Sequence, residues 1–432
     1  MSRLFQLPVE LVEIIASFLP PEDLFNLRLT CRELGTKTFH YFTQEHFTIK
    51  QFFPSLYGLE ALLAISKSRL RESLRTVVLG PQDFNTTVFP ITARDEEDRK
   101  QSLQGYLRYI NENRYMRQTG LDTIILQEAF ANLPNCSTLE IRDYSLLTND
   151  VDEWCDDIRP LSSYGQSQSR KATAGWSSTE DTTAFTRTFT IALHAAVTAK
   201  LPLESVIMDY EVSWSENEIS LDLPSPRWFD PSDCSLKKLL HLQLYVACFD
   251  DFRKPGWAGM VDRIVQFFIL APNINRLGLN LADRRSAGSF LVRLADTLDF
   301  GNITTLDLTR ICTDQDNIIN AFTRLSSKIS CLKLCDFGVY DGNIRDIFEC
   351  IGDKMQLKKI YGEWFRQDYF GIAFKSPGSK NGSDLSDCFC YKGPDIINFM
   401  KDLISSMAMV DISQIGWKHH RKFWPHSLQT LV

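Results

Sequence analysis

The side chains with the clearest chemical potential in this 432-residue chain are its cysteines and histidines. Cys388 and Cys390, together with His419 and His420, offer four donors that zinc accepts, but Cys-x-Cys is not a standard zinc spacing and no second cysteine pair completes the set. We therefore expect free thiols in a loop, with no metal and no cofactor. The eleven cysteines, an odd number with no signal peptide before them, predict a reducing compartment, the cytoplasm or the nucleus.

Familiar catalytic motifs do not occur in the sequence. It has no Gly-x-x-x-x-Gly-Lys-Ser/Thr loop, no Gly-x-Gly-x-x-Gly, no Gly-x-Ser-x-Gly and no His-Glu-x-x-His. The seven histidines are scattered, and acidic pairs such as Glu96-Glu97 are typical of a charged surface. These observations favour a non-catalytic protein, and a hydrolase or transferase within 70–432 is the least favoured alternative.

Charge and hydropathy narrow the classes of partner. The chain has 47 Lys and Arg against 54 Asp and Glu, a net charge of −7, so a general nucleic-acid binder is disfavoured. The longest apolar stretch, 264–272, is far shorter than the ~20 residues that cross a bilayer. We therefore expect neither a nucleic acid nor a membrane as partner.

The N-terminal segment predicts a helix that is too apolar for one neighbour. Pro8 suits a first helical turn, where its missing N–H would be unpaired in any case. Within Val9–Leu19 the apolar side chains span roughly 220° at 100° per residue, whereas a surface helix needs only about 100°. Pro20 and Pro21 end this helix.

Two more short helices are predicted immediately afterwards. Pro21, followed by two acids, suits the start of the second, and Thr30 with Glu33 fits a capping box for the third. Three helices in some forty residues cannot bury this much apolar surface among themselves, and no metal or disulfide set is available to them. The segment therefore completes its core against another protein or packs onto its own chain, and the residues alone favour neither alternative.

Residues 7–32 resemble an F-box. Four features match that family's pattern and spacing: the Leu7-Pro8 opening, the Glu10-Leu11 pair, the Leu-Pro-Pro-x-Asp-Leu turn at 19–24 and the Leu-Arg-x-x-Cys-Arg ending at 27–32. The resemblance implies a trihelical module that docks on a small Skp-family adaptor, which links it to the cullin and RING subunits of a ubiquitin ligase.

The resemblance also implies which residues bind the adaptor or form the interlocked core, although periodicity does not separate the two roles. These residues are Leu7, Pro8, Leu11, Ile14, Ile15, Leu19, Pro20, Leu24, Leu27 and Cys31.

A degenerate Leu-x-x-Leu-x-Leu pattern recurs through the rest of the chain. Its best copies begin at Leu239, Ile274, Ile303 and Ile329, which are 35, 29 and 26 residues apart. Weaker copies begin at Leu74, Cys136, Leu203 and Leu357. Segments of helical periodicity lie between the copies, and one strand with one helix per unit is the leucine-rich-repeat arrangement.

The repeats depart from the family's pattern at the turn after each strand. The usual Asn or Cys is replaced by Ala247, Ala282, Ile311 and Phe337, so the ladder that normally satisfies the turn is absent or rebuilt. The predicted fold class is α/β: an N-terminal trihelical F-box, then an irregular leucine-rich-repeat-like α/β solenoid. An ordinary α/β domain is the alternative.

Three regions follow from these patterns. We expect an F-box over 1–46, a substrate-binding leucine-rich-repeat-like domain over 47–365 with insertions at 81–120 and 145–183, and a C-terminal loop and capping helix over 366–432.

Local composition adds four expectations inside these regions. A helix is expected over 102–115, a flexible loop over 162–183, a loop over 376–392 and a helix over 394–408.

The predicted function is substrate recognition within a Skp-cullin-F-box ubiquitin ligase, and the overall likeness is to fungal F-box proteins. The alternative is an F-box scaffold acting outside ubiquitin transfer. The protein substrate is unknown, and so is any need for its phosphorylation. Strand residues expected to line the binding face of the solenoid are Asp307, Thr309, Lys333, Lys358 and Lys359.

Overall fold

The computed structural model describes most of the helices and strands of the chain. It describes residues 6–80, 96–142, 163–164, 182–209, 234–246, 255–281, 287–297, 302–367, 370–375, 385–386, 388–393 and 395–411. A small helical unit stands at the N-terminus, and a domain of helices packed on one long sheet follows it.

Four helices form the N-terminal unit: α1 (Val9–Ser17), α2 (Pro21–Thr30), α3 (Arg32–Lys37) and α4 (Phe39–Phe47). Prolines set the first two boundaries, since Pro8 and Pro20 have extended backbone just before α1 and α2, and Pro21 is the first residue of α2. The prediction of successive short helices is confirmed.

The predicted capping box at the start of α3 is wrong. α2 extends through Thr30, whose hydroxyl donates to the carbonyl of Leu27 at 2.6 Å, and Cys31 is the residue that precedes α3. The extended backbone of Cys31 (φ −158°) makes the turn between the two helices. The threonine hydroxyl is therefore used inside its own helix and does not cap the next one.

Nine strands form the parallel part of the sheet, each paired with its neighbours in chain order. They are β1 (Ile49–Phe52), β2 (Thr76–Leu79), β3 (Thr138–Arg142), β5 (Ser205–Asp209), β6 (His241–Tyr245), β7 (Arg276–Asn280), β8 (Thr305–Asp314), β9 (Cys331–Asp341) and β10 (Lys359–Gln367). The two-residue strand β4 (Ser163–Tyr164) pairs parallel to β1 at the other side of that strand. Adjacent parallel strands in chain order are the solenoid arrangement that the repeats predicted.

Helices connect the strands and pack on one another in sequence. They are α5 (Leu56–Ser66), α6 (Glu96–Thr119), α7 (Leu121–Ala131), α8 (Thr182–Thr198), α9 (Pro255–Leu270), α10 (Ala287–Thr297), α11 (Gln315–Leu325), α12 (Ile344–Lys354) and α13 (Ile396–Ser406). The loop prediction over 162–183 is wrong where β4 and the start of α8 lie, and the rest of that segment is outside the described residues. The helix predicted over 102–115 is part of α6.

The core of the domain is a ladder of the repeat leucines. In register across adjacent strands, Leu242 faces Leu277, Leu277 faces Leu306, Leu306 faces Leu332 and Leu332 faces Ile360. All of these side chains are buried against the helices. Every predicted copy of the repeat therefore coincides with a strand, whereas β1 and α10 were not predicted.

The turn that normally follows a leucine-rich-repeat strand is replaced by a local change of backbone conformation in three neighbouring strands. Arg310, Asp336 and Trp364 each have left-handed backbone, with φ between 51° and 58°. The strands continue beyond them and bring Ile311, Phe337 and Phe365 into register as a second buried ladder. Apolar packing thus takes the place of the missing Asn or Cys ladder.

The C-terminal strands are antiparallel, so the sheet as a whole is mixed. They are β11 (Phe370–Lys375), β12 (Leu385–Ser386), β13 (Cys388–Lys392) and β14 (Met407–Asp411). The loop predicted over 376–392 is therefore wrong for β12 and β13. The boundary expected at 365 lies inside β10, because that strand pairs with β13 along its first half and with β11 along its second. The predicted helix over 394–408 is observed as α13, which packs on α12.

Candidate functional site

Two faces of α1 have opposite surroundings. Val12 and Ala16, four residues apart, are fully buried against the unit's other helices. Leu11, Ile14 and Phe18 lie on the other side of the helix and are 47%, 54% and 82% exposed. The excess apolar arc of this helix is therefore not covered by the chain's own described residues.

The helix α2 also carries exposed apolar side chains. Leu29, at the end of α2, is 83% exposed, and Phe25 is exposed as well. We call the seven exposed apolar side chains of these two helices the apolar face; they are Val9, Leu11, Ile14, Ile15, Phe18, Phe25 and Leu29. This number of exposed apolar side chains on a small helical unit is typical of a protein-binding surface.

Polar contacts fix α1 against α3 and α4. Glu13 accepts the backbone N–H of Tyr41 at 3.2 Å, and Lys37 donates to the carbonyl of Leu7 at 2.9 Å while pairing with Glu33 at 3.1 Å. The apolar face is thus presented by a braced scaffold, which lowers the entropic cost of binding a partner.

A separate small core holds the unit together. Leu24 and Leu34 are buried beside Val12 and Ala16, and none of these four belongs to the large core cluster of the following domain. That cluster begins at Phe47, with Phe42 packed against it. The N-terminal unit is therefore attached to the domain through α4 and keeps its apolar face free.

The ten residues predicted for adaptor binding divide by exposure. Exposed side chains belong to Pro8, Leu11, Ile14, Ile15, Pro20 and Cys31, and half-buried ones to Leu7, Leu19 and Leu27. Leu24 is 1% exposed and belongs to the unit's own interior, so its side chain supports the surface from behind. Burial thus places Leu24 in the interior, while adaptor binding by the exposed residues stays a prediction.

Four members of the apolar face were missing from the predicted set: Val9, Phe18, Phe25 and Leu29. The sequence feature that could have identified Phe18 is the wide apolar arc of the first predicted helix, because Phe18 lies within that arc. No local feature marked Leu29, whose exposure depends on how α2 packs on α3.

The family model for the F-box domain matches residues 4–36, the stretch that contains α1, α2 and nearly all of α3. Residues 4–36 are an F-box domain. F-box domains generally bind Skp-family adaptors, and an exposed apolar face on α1 and α2 of this F-box domain is compatible with that role. No helix among the described residues of the chain is long and apolar enough to span a bilayer.

Other comparisons add little about the domain that follows the F-box. No curated protein matches the sequence. Among solved structures, the leucine-rich repeat-containing protein LegL7 from Legionella pneumophila is 12% identical, with 72% of this chain and 90% of LegL7 covered and a TM-score of 0.31. The leucine-rich-repeat-like description of this chain rests on its own strand order.

The sheet behind the F-box presents polar side chains on the face away from the helices. Arg276 donates through Nε and Nη2 to Oδ2 of Asp307, at 3.1 and 2.7 Å, and Asp307 is buried by this pairing. Further along, the hydroxyl of Tyr361 donates to Oε2 of Glu363 at 2.6 Å, which together with burial raises the pKa of Tyr361. In these pairs the charged and polar side chains of this face are bonded to one another.

A serine and a histidine lie side by side on this face without forming a useful catalytic pair. Ser205 Oγ and His241 Nδ1 are 3.1 Å apart across β5 and β6. Burial, followed by the positive charge of Arg276, lowers the pKa of His241 to about 4, so its ring is a weak base at neutral pH. Asp307, which could orient the ring, is engaged by Arg276.

Cys136 and Cys335 of the solenoid that follows the F-box are buried packing residues. Burial raises the pKa of Cys136 and of Cys335 to about 12, which keeps both thiols protonated at neutral pH. Cys388 and Cys390 are exposed cysteines on β13 that form no disulfide, while His419 and His420 lie outside the described residues. Within the described part of the chain, no group of three or more His, Cys, Asp or Glu side chains is placed to hold a metal ion.

Proposed function

We propose that this protein is the substrate-recognition subunit of a Skp-cullin-F-box ubiquitin ligase in the cytoplasm or nucleus. The F-box domain docks on a Skp-family adaptor, which joins it to cullin and RING subunits. The leucine-rich-repeat-like domain holds the target protein. The observation that supports this most is the uncovered apolar face of α1 and α2.

Covering the apolar face is the energetic reason for binding. Burying an exposed side chain such as Phe18 or Leu29 gains on the order of 1–2 kcal/mol each at about 25 cal/mol per Å². Several such residues, on helices already braced by their own core, supply the apolar contacts that a tight protein interface requires.

The polar face of the sheet is the candidate surface for the target. Lys358 is exposed, while Thr309, Lys333 and Lys359 are half-buried on the neighbouring strands β8, β9 and β10, at different positions along those strands. Asp307, which was also expected on this surface, forms an ion pair with Arg276 and is therefore less available to bind a target. A rigid sheet with alternating side chains suits recognition of an extended protein surface.

The chain contributes to ubiquitin transfer by positioning. Holding a target's lysines near the charged ubiquitin raises their effective concentration, which speeds the reaction without any catalytic residue in the receptor. The F-box and the solenoid are linked through α4 and a continuous core from Phe47 onward, so the two binding surfaces are held at a fixed separation.

Reconstitution from purified components tests this proposal. The full chain, a recombinant Skp-family adaptor and a cullin–RING pair are co-expressed, and complexes are isolated through a tag on the cullin. We expect the full chain to co-purify. The Leu11→Asp, Ile14→Asp double variant should no longer co-purify, while the control Ile269→Asp, which alters a still more exposed isoleucine on α9, should be retained.

Two outcomes would overturn it. If the adaptor does not bind the full chain, the F-box face has another use. If the adaptor binds but the cullin never joins the complex, the protein is a scaffold outside ubiquitin transfer.

A further inference from the structure

A cleft with three arginines lies where the F-box meets the solenoid. Its volume is about 590 Å³, and it is lined by Phe25, Arg28, Leu29, Arg32, Gly35, Thr36, Phe42 and Arg69. Arg28 and Arg32 come from the F-box, whereas Arg69 comes from a short turn of the following domain, Arg69–Glu72. Among these described lining residues there is no Asp or Glu to balance the charge.

Aromatic rings hold two of the guanidinium groups. The guanidinium carbon of Arg28 is 3.8 Å from the ring centre of Phe42, and that of Arg69 is 3.9 Å from the ring centre of Phe39. Arg28 also donates from Nη1 to Thr38 Oγ1 at 3.0 Å. Stacked guanidinium groups of this kind are held in place with donors still free for a ligand.

The two charges oppose one another. Burial and the nearby charge of Arg69 both lower the pKa of Arg28. A structural role explains Arg28, since it lies in the last turn of α2 and bonds Thr38. This structural role does not explain why Arg69 lies beside Arg28. Two like charges without a counterion repel each other, and a bound anion would remove that repulsion.

The cleft is continuous with the apolar face, and this continuity identifies the occupant. Leu29 and Phe25 belong both to that face and to the lining of the cleft. A partner that covers Leu29 therefore brings its neighbouring residues over the arginines. Guanidinium groups recognise carboxylates through paired, charge-assisted hydrogen bonds.

We propose that this cleft binds an acidic segment of the docking adaptor, one or two carboxylates next to the apolar residues that cover Leu29. The inference rests on the proposed function and adds to it a second, charge-based contact. Because Arg69 belongs to the solenoid, the contact also ties the adaptor to the domain that holds the target.

Affinity measurements on the full chain and a recombinant Skp-family adaptor test this. The variants are Arg69→Gln, Arg69→Glu and Arg32→Gln; Arg32 is exposed, and its side chain has no ion pair among the described residues. Arg71→Gln is the matched control, because Arg71 is on the same turn, outside the cleft, and pairs with Glu72 at 3.1 Å. Thermal unfolding of each variant verifies that it is folded.

We expect Arg69→Gln to weaken adaptor binding about tenfold at about 0.05 M salt, Arg69→Glu to weaken it further, and Arg32→Gln to act in the same direction. The loss should shrink at about 0.5 M salt, where charges are screened. Arg71→Gln should stay within about twofold of the unmodified chain.

Equal affinities for the Arg69, Arg32 and Arg71 variants would overturn the inference while leaving the proposed function intact. Equal losses for Arg69→Gln and Arg69→Glu, unchanged by salt, would also overturn it, since they indicate a packing role. No adaptor binding by the unmodified chain would overturn the proposed function itself, and this inference with it.

Discussion

Val12 and Ile14 are two residues apart on α1 and face opposite environments, with Val12 fully buried and Ile14 54% exposed. Both are β-branched and apolar, so hydropathy alone treats them alike. The helix thus uses one apolar side to build the F-box and leaves the other uncovered. The consequences for binding and for stability can be separated by mutation.

Replacing Phe18 by Ser should weaken adaptor binding without harming the fold. Its ring is 82% exposed, so the free energy of unfolding should change by no more than about 0.5 kcal/mol. Adaptor affinity should fall at least about tenfold if the ring is part of the interface core. Urea unfolding and calorimetric titration measure the two effects, with Ile269→Ser as control. A loss of stability with unchanged affinity would contradict the assignment.

Replacing Leu24 by Ala should mainly lower the stability of the F-box. Because this side chain fills the small core of the F-box, its truncation should cost about 2–5 kcal/mol of local stability. Since that core is separate from the cluster beginning at Phe47, hydrogen exchange should accelerate in α1–α3 and remain slow in β6–β9. Uniform acceleration throughout the chain would show that the two units share one core.

Arg310→Gly should stabilise the solenoid. The backbone of Arg310 is left-handed (φ 54°), a conformation that costs a non-glycine residue about 1–2 kcal/mol, while glycine loses about 0.5–1 kcal/mol in chain entropy. A net gain of about 0.5 kcal/mol is expected in urea unfolding. Arg310→Val should instead destabilise by more than about 1 kcal/mol, because β-branched side chains resist this conformation. Equal destabilisation by both would mean that the arginine side chain, and not its backbone conformation, determines stability at this position.

His241 should make stability fall as the pH is lowered. Its pKa is about 4 in the folded chain, against 6.5 for an ordinary histidine, so below pH 6.5 the unfolded chain takes up a proton that the folded chain does not. The stability lost between pH 7 and pH 5 should be roughly 1–2 kcal/mol larger for the unmodified chain than for His241→Gln. The free energy of unfolding at the two pH values measures it. Identical losses for both proteins would show that the ring is already accessible to protons.

The sequence was most informative where spacing alone determines structure. The leucines at positions such as 242, 277, 306 and 332 predicted their strands because the inward-facing residues of a repeat must stay in register. The oversized apolar arc of α1 predicted that this helix packs on more than one neighbour, but it left open whether a partner or the chain itself covers the excess. The prolines at 20 and 21 placed the first helix boundary.

Other features depend on contacts between distant segments, which no local pattern reveals. No glycine marks the left-handed positions Arg310, Asp336 and Trp364, and the pairing of β8, β9 and β10 continues past each of them. β13 forms because β10 offers it an edge, although its own segment resembles a loop. The burial of Leu24 and the exposure of Leu29 depend on how α2 packs, which periodicity leaves open.

The most direct test of the central claim is an isothermal titration of the full chain with a recombinant Skp-family adaptor, for the unmodified protein and for the Leu11→Asp, Ile14→Asp variant. We expect one-to-one binding with a sub-micromolar Kd (about −8 kcal/mol or tighter) and a negative heat-capacity change from the buried apolar face. The double variant should show no measurable binding. Equal binding by both proteins would contradict the claim that α1 docks the adaptor.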